Sequence, residues 1–208
     1  MFDLTEVYFT NIPNITEEQI LRLSKNVSCL RQEKIKSCTK LEKRKQYLCA
    51  GLLLNKVLTE KYNLKKEQLS FSVNSKGKPC FTTDIGLNFS ISHCKGAVVV
   101  AVSEGNVGVD IEYWKHEHKN ISQRFFCEGE KEYLSNQNNV KAFFEIWTRK
   151  EAGAKFFGEN LISVLKNFDT TKQHSDCLLS TFYEDRYIIS VCSSTDCNSN
   201  VQKIDLIY

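Results

Sequence analysis

Two acidic signatures stand out, Gly108-Val109-Asp110-Ile111-Glu112 and Trp147-Thr148-Arg149-Lys150-Glu151-Ala152. The first alternates as a β-strand does, so Val107, Val109 and Ile111 point one way and Gly108, Asp110 and Glu112 the other. A glycine just ahead of the first carboxylate leaves open space there, which suits close approach of a ligand. The second signature has helical spacing. At roughly 100° per residue, Val140, Phe143, Trp147, Glu151 and Ala154 form one stripe, with Glu151 about 40° from Trp147 on a largely apolar face. A carboxylate in such surroundings needs a partner. Either Lys155, one turn on, supplies it, or a metal does. Three carboxylates from a strand and a helix suit one hard cation of the Mg²⁺ kind, which also takes phosphate oxygens and keeps some of its water. The plain alternative for the strand alone is a solvated polar face.

Candidates for binding the phosphate lie upstream. Ser90-Ile91-Ser92-His93 closes an alternating segment, with Ser90 and Ser92 on one face and His93 at the strand end. Lys78 sits between Gly77 and Pro79 on a stiff turn. Arg31, Lys34, Lys36, Lys40, Lys43, Arg44 and Lys45 face only Glu33 and Glu42 over the same stretch. That surface can receive phosphates or an acidic protein, or can be a solvated helix face. His116 and His118 have no third nitrogen or sulfur ligand at a recognisable spacing and read as exposed loop residues. No Walker A loop and no G-x-G-x-x-G turn occurs, which argues against an ATPase, a kinase or a dehydrogenase.

These residues need elements to hold them. Residues 1 to 12 form an opening strand, and Thr16 is placed to cap a helix ahead of Ile20, Leu21 and Leu23. An amphipathic helix runs from about Glu42 to Tyr62. Strands follow at Leu69–Val73, Leu87–Ser92, Ala97–Val102 and Val107–Glu112, with a turn from Asn74 to Pro79. Residues 122 to 135 and about 140 to 157 read as helices. Leu178–Tyr183 and Tyr187–Cys192 read as a hairpin, and Val201–Ile207 as a last strand. The fold class is α+β, as two halves, 1–104 and 105–208, joined near residues 103 to 106.

The chain has 208 residues and a net charge of +3, too little by itself to imply nucleic-acid binding. No apolar run reaches the roughly 18 residues of a membrane span, and the N-terminus lacks a signal-peptide pattern. The nine cysteines are odd in number and irregularly spaced, with no C-x₂-C pair. They read as reduced thiols of a cytoplasmic protein without membrane or nucleic-acid partners.

Gly77-Lys78-Pro79, Phe89-Ser90-Ile91-Ser92-His93, Gly108-Val109-Asp110-Ile111-Glu112 and Trp147-x-x-Lys150-Glu151-Ala152-x-x-Lys155 together resemble 4′-phosphopantetheinyl transferases of the longer, surfactin-synthetase-activating type. The likeness runs from near Arg31 to Lys155. It implies a monomer of two similar α+β halves related by pseudo-twofold symmetry, with the active site in the cleft between them. It also implies transfer of the 4′-phosphopantetheine group of coenzyme A to a serine of an apo acyl or peptidyl carrier protein, with release of 3′,5′-ADP. The implied metal is Mg²⁺, with Mn²⁺ as the alternative, on Asp110, Glu112 and Glu151. Implied coenzyme A contacts are Arg31, Lys34, Arg44, Lys78, Ser92, His93, Lys150 and Lys155, and the implied catalytic pair is Glu151 and Lys155. Two departures from the family pattern are Gln46, where an arginine is frequent, and a loop over Phe156–Asn160 with one glycine. The competing expectations are an inactive coenzyme A-binding module and a Mg²⁺-dependent phosphohydrolase.

Overall fold

A computed structural model describes residues 4–114, 119–137 and 139–206; the predicted loop histidines, His116 and His118, lie outside them. In chain order the first half contains β1 (Thr5–Asn11), α1 (Glu17–Leu23), α2 (Cys29–Ser37), α3 (Leu41–Glu60), β2 (Phe71–Val73), β3 (Pro79–Phe81), β4 (Asn88–Cys94) and β5 (Ala97–Ser103). The second contains β6 (Val107–Tyr113), α4 (Lys119–Phe125), α5 (Glu128–Gln137), α6 (Val140–Phe157), α7 (Leu161–Asn167), β7 (Leu178–Glu184), β8 (Tyr187–Ser193) and β9 (Cys197–Lys203). Local chemistry sets several ends. Thr16 caps α1 in a reciprocal box with Gln19, and Asn139 Oδ1 caps α6 by accepting from Ala142 N at 2.9 Å.

Three sheets form. One has the order β4-β5-β1-β9, another β6-β8-β7, and β2 pairs with β3 alone. The α+β expectation holds, and the connectivity repeats. In each half an opening strand is followed by a long helix and then a hairpin, whose second strand pairs antiparallel with the opening one. The last strand departs from its predicted position. β9 spans Cys197–Lys203 and joins the first sheet, parallel to β1, because β1 had an edge open to it.

Alternation along the strands divides the core. Tyr8, Val98, Val100 and Val102 pack under α3 on Leu48, Leu53, Val57 and Leu58. Val7, Phe9, Val99 and Ala101 face Val107, Val109, Ile111, Ile189 and Val191 of the other sheet. On the outer face of that sheet lies α6, through Ala152 and Phe156 against Cys192, and Phe143 and Ile146 against Ile188. The layers therefore run helix, sheet, sheet, helix, and burying these apolar faces is the main source of stability. Among the described residues no helix is long and apolar enough to cross a membrane.

Gly108 does not open space for a ligand. A Cβ there would land on the Ala152 carbonyl oxygen and within 2.6 Å of Phe156 N. The close approach is that of α6, whose backbone rests on β6 at this point.

Candidate active site

The site forms where β4, an edge of the first sheet, crosses β6, an edge of the second. An edge strand has backbone groups that must find partners. Here side chains supply them. Ser90 Oγ accepts from Val109 N at 3.0 Å, Lys155 Nζ donates to Val109 O at 2.8 Å, and Lys78 Nζ donates to Val107 O at 2.7 Å. Lys78, a predicted phosphate-binding lysine, thus also joins the halves, as Lys155 does through Ser92 Oγ.

Asp110 lies at the centre and is 5 % exposed. Its Oδ1 accepts from Ser92 Oγ at 2.7 Å and from Lys155 Nζ at 2.8 Å, and Lys155 also donates to Ser92 Oγ at 2.9 Å. Asp110 Oδ2 is buried with no hydrogen-bond partner among the described residues. Glu112 is pushed up to about 7, first by burial and then by Asp110 and Glu151. Glu151 is pushed up to about 7 by burial and then by Asp110. Neighbouring carboxylates thus add to burial in both cases, and the charged forms of Glu112 and Glu151 are held at a cost. Among the described residues no three His, Cys, Asp or Glu side chains stand as a ready-made metal cage. A hard divalent cation nevertheless fits this donor set: oxygen ligands only, an unpartnered buried carboxylate oxygen, and mutual repulsion that a cation would relieve.

Beside the carboxylates lies a cavity of about 370 Å³, lined by Arg31, Lys34, Lys78 and His93 from the first half and by Glu151 and Lys155 from α6. Burial lowers Arg31, Lys34 and Lys78 from their usual values, as expected of cations lacking counter-charge. His93 is lowered to about 4, by burial first and then by Lys43, Arg31 and Lys155, so the imidazole is neutral near pH 7. Its ring stands edge-on to Tyr47 at 5.5 Å, and its Nδ1 is buried without a partner. The cavity is therefore a half-buried cleft rich in cations, a setting that suits an anion.

Several expected site residues stand elsewhere. Lys150 does not reach the cavity. Its Nζ is fully buried, pairs with Glu130 at 2.8 Å and donates to Leu165 O at 2.8 Å and Phe168 O at 2.7 Å. It leaves α6 on a different side from the cleft, one residue and roughly 100° from Glu151. Arg44 pairs with Glu17 and is not among the cavity-lining residues. Ser92 is used by Asp110 and Lys155 and likewise does not line the cavity. Asp110 and Glu112 also lie behind its wall, whereas Glu151 lines it. Lys155 is given to Asp110 rather than to Glu151. Gln46 is buried and donates to Cys94 O at 2.9 Å. Glu130 was missed by the sequence reading, although an acid facing a helix end was its only available signal. Lys76, which also lines the cavity, was missed because an exposed turn lysine carries no signal.

Fold and site together define a two-part α+β protein with an anion cleft backed by carboxylates, the equipment of a phosphoryl-type transferase. Comparison with known proteins is in agreement. Residues 106–200 match the model of the 4′-phosphopantetheinyl transferase superfamily, and residues 14–106 match that of the 4′-phosphopantetheinyl transferase N-terminal region. The chain is 29 % identical to the 4′-phosphopantetheinyl transferase gsp of Aneurinibacillus migulanus, over 98 % of this chain and 92 % of the relative. It is 28 % identical to ffp of Bacillus subtilis and 26 % identical to Sfp of Bacillus subtilis strain 168, over 86 % of this chain and 88 % of each relative. The chain belongs to the 4′-phosphopantetheinyl transferase superfamily and is of its Sfp-like type.

Proposed function

We propose that the cleft binds coenzyme A and that the chain transfers its 4′-phosphopantetheine arm to a serine of an apo acyl or peptidyl carrier protein, releasing 3′,5′-ADP. The observation that carries this reading is the Asp110 carboxylate, buried with one oxygen unpartnered, beside a cleft in which Arg31, Lys34 and Lys78 make no ion pair among the described residues. On this reading residues 1–104 anchor the nucleotide and residues 105–208 supply the carboxylates. The repeated connectivity of the halves supports a pseudo-twofold relation between them.

Arg31, Lys34 and His93 would hold the 3′-phosphate end. His93, neutral in the free protein, would donate from the nitrogen now buried without a partner. Lys78 and Lys155 would face the pyrophosphate. Asp110, through its unpartnered oxygen, with Glu112 and Glu151, would hold Mg²⁺, or Mn²⁺ as the alternative. When bound, the ion would neutralise charge developing on the pyrophosphate oxygens. Glu151, on the cavity wall and pushed up to about 7, has a basicity suited to taking the proton of the attacking serine near neutral pH. The basic stretch around Lys36 to Lys45 would steer an acidic carrier protein to the cleft. We read the enzyme as a cytoplasmic monomer, and its nine cysteines, none in a disulfide among the described residues, suit a reducing compartment.

The test is intact-mass measurement of apo carrier proteins incubated with the enzyme, coenzyme A and Mg²⁺. A gain of one phosphopantetheine, abolished by EDTA, is expected. Release of free phosphopantetheine with every carrier unmodified would favour a phosphohydrolase. Binding of coenzyme A without its consumption would favour an inactive binding module.

A further inference from the structure

The turn joining β2 to β3 carries two lysines that leave it in different directions. Asn74 organises that turn, since its Oδ1 accepts from Lys76 N and from Lys78 N, both at 3.0 Å. Its backbone closes the loop with Lys78 O at 3.0 Å and Gly77 N at 2.9 Å. A side chain that accepts from backbone groups two residues on makes a stiff mount. From it Lys78 reaches the start of β6, as described above. Lys76 reaches the helix side of the same end of that helix–strand contact, where its Nζ donates to Phe157 O at 3.1 Å.

Phe157 is the last residue of α6. The final carbonyls of a helix have no partner within it and carry its negative end. Asn106 Nδ2 takes Phe156 O at 2.6 Å, and Lys76 takes the next. The helix then stops at Gly158 in the left-handed region, φ +62°. A Cβ at Gly158 would lie 2.6 Å from Lys76 Cδ, so the lysine stem lies where a side chain would otherwise be. Nothing in the motifs pointed to Lys76, because the contact joins residues 81 positions apart.

We infer that Lys76 is a positioning residue for the transfer proposed above, on which this inference rests. By capping α6 it holds the helix's last turn, which carries Lys155 two residues before Phe157. Lys155 in turn holds Asp110 Oδ1 and Val109 O. The turn that walls the nucleotide cleft is thereby tied to the helix that carries Glu151 and Lys155, and the two move as one body.

The test is K76M, which keeps the stem on Gly158 and removes only the ammonium, compared with K76R, which restores a donor. K76M is expected to lower kcat about two- to fivefold, the scale of one lost exposed charge–helix contact, with KM for coenzyme A changed less than about 1.5-fold. K76R is expected to recover most of kcat. Amide hydrogen exchange over residues 153–158 is expected to quicken in K76M and not in K76R. Unchanged kcat and unchanged exchange would overturn the inference. So would a raised KM with kcat intact, which would make Lys76 a direct ligand contact. Should the wild-type protein modify no carrier, the function reading fails on that result alone, and the exchange measurement still decides whether Lys76 caps α6.

Discussion

Lys155 of α6 and Asp110 of β6 meet at 2.8 Å across the contact between helix and strand, and the pair leaves the second oxygen of Asp110 buried and unpartnered. One carboxylate thus has two unlike oxygens: Oδ1 ties α6 to β6 and β4, and Oδ2 is the atom we propose a cation takes.

Replacing Lys155 by Met removes the tie and leaves Asp110 uncompensated. Because Lys155 is part-exposed, water screens some of the loss, and the expected destabilisation is about 1–3 kcal/mol. Transfer should fall at least about 100-fold. Urea unfolding with and without Mg²⁺ checks the pair, and the variant should gain more stability from the ion than the wild type does. Equal gains would argue that the ion does not bind at Asp110.

Glu151 makes a pH prediction. Its folded value, about 7, lies above the usual carboxylate range. A raised value means that the folded state binds the proton more tightly than the unfolded state. The contribution is therefore full at low pH and is lost as pH rises through about 7. The stability difference between wild type and E151Q, measured in EDTA, should accordingly turn against the wild type between about pH 4.5 and 7. His93, lowered to about 4, has the opposite slope, but it is common to both proteins and cancels. E151Q should remain folded while losing transfer by about 100-fold or more, whereas near-normal turnover would remove Glu151 from the mechanism.

Gly108→Ala tests the seat of α6. The added methyl would collide with backbone at Ala152 and Phe156, which cannot give way as a flexible side chain could. A loss of about 3 kcal/mol in chemical denaturation, together with loss of transfer, is expected. A fully active, fully stable variant would mean that helix and strand are not held this closely.

Lys150→Met breaks a fully buried ion pair and leaves Glu130, also fully buried, without its cation. The expected loss is about 3–5 kcal/mol, and K150M/E130L should recover much of it. If Lys150 serves only structure, KM for coenzyme A of the folded fraction stays at the wild-type value. A KM raised tenfold or more would restore Lys150 to the ligand contacts.

Regular elements were largely legible in the chain. Alternation put Gly108, Asp110 and Glu112 on one face of β6, and the 3.6-residue period found α3 and α6. The region 122–135 reads as one helix but is two, because Glu130 accepts from Cys127 N at 2.9 Å and starts a new helix there. The short α7 was missed, although Asn160, whose side chain accepts from Ile162 N at 2.8 Å, is a visible cap. The last strand was placed too late in the chain, because the edge of β1 that chose its register lies almost two hundred residues away.

Residue type and spacing along the chain were enough to single out Asp110, Glu112 and Glu151 as a set and Lys78 and His93 as candidates for an anion, whereas Arg31 and Lys34 were picked from their basic stretch only through the family resemblance. Period and alternation are properties of neighbours, and they survive without knowledge of what lies opposite. Which lysine meets which acid is not such a property. Lys150 and Lys155 belong to one motif, yet about 140° of helical turn separates them, so one enters the buried core to meet Glu130 and the other crosses to Asp110. That division, the capping of α6 by Lys76 and the unpartnered oxygen of Asp110 depend on how α5, β6 and the β2–β3 turn pack around one helix, and only the folded chain brings those segments together.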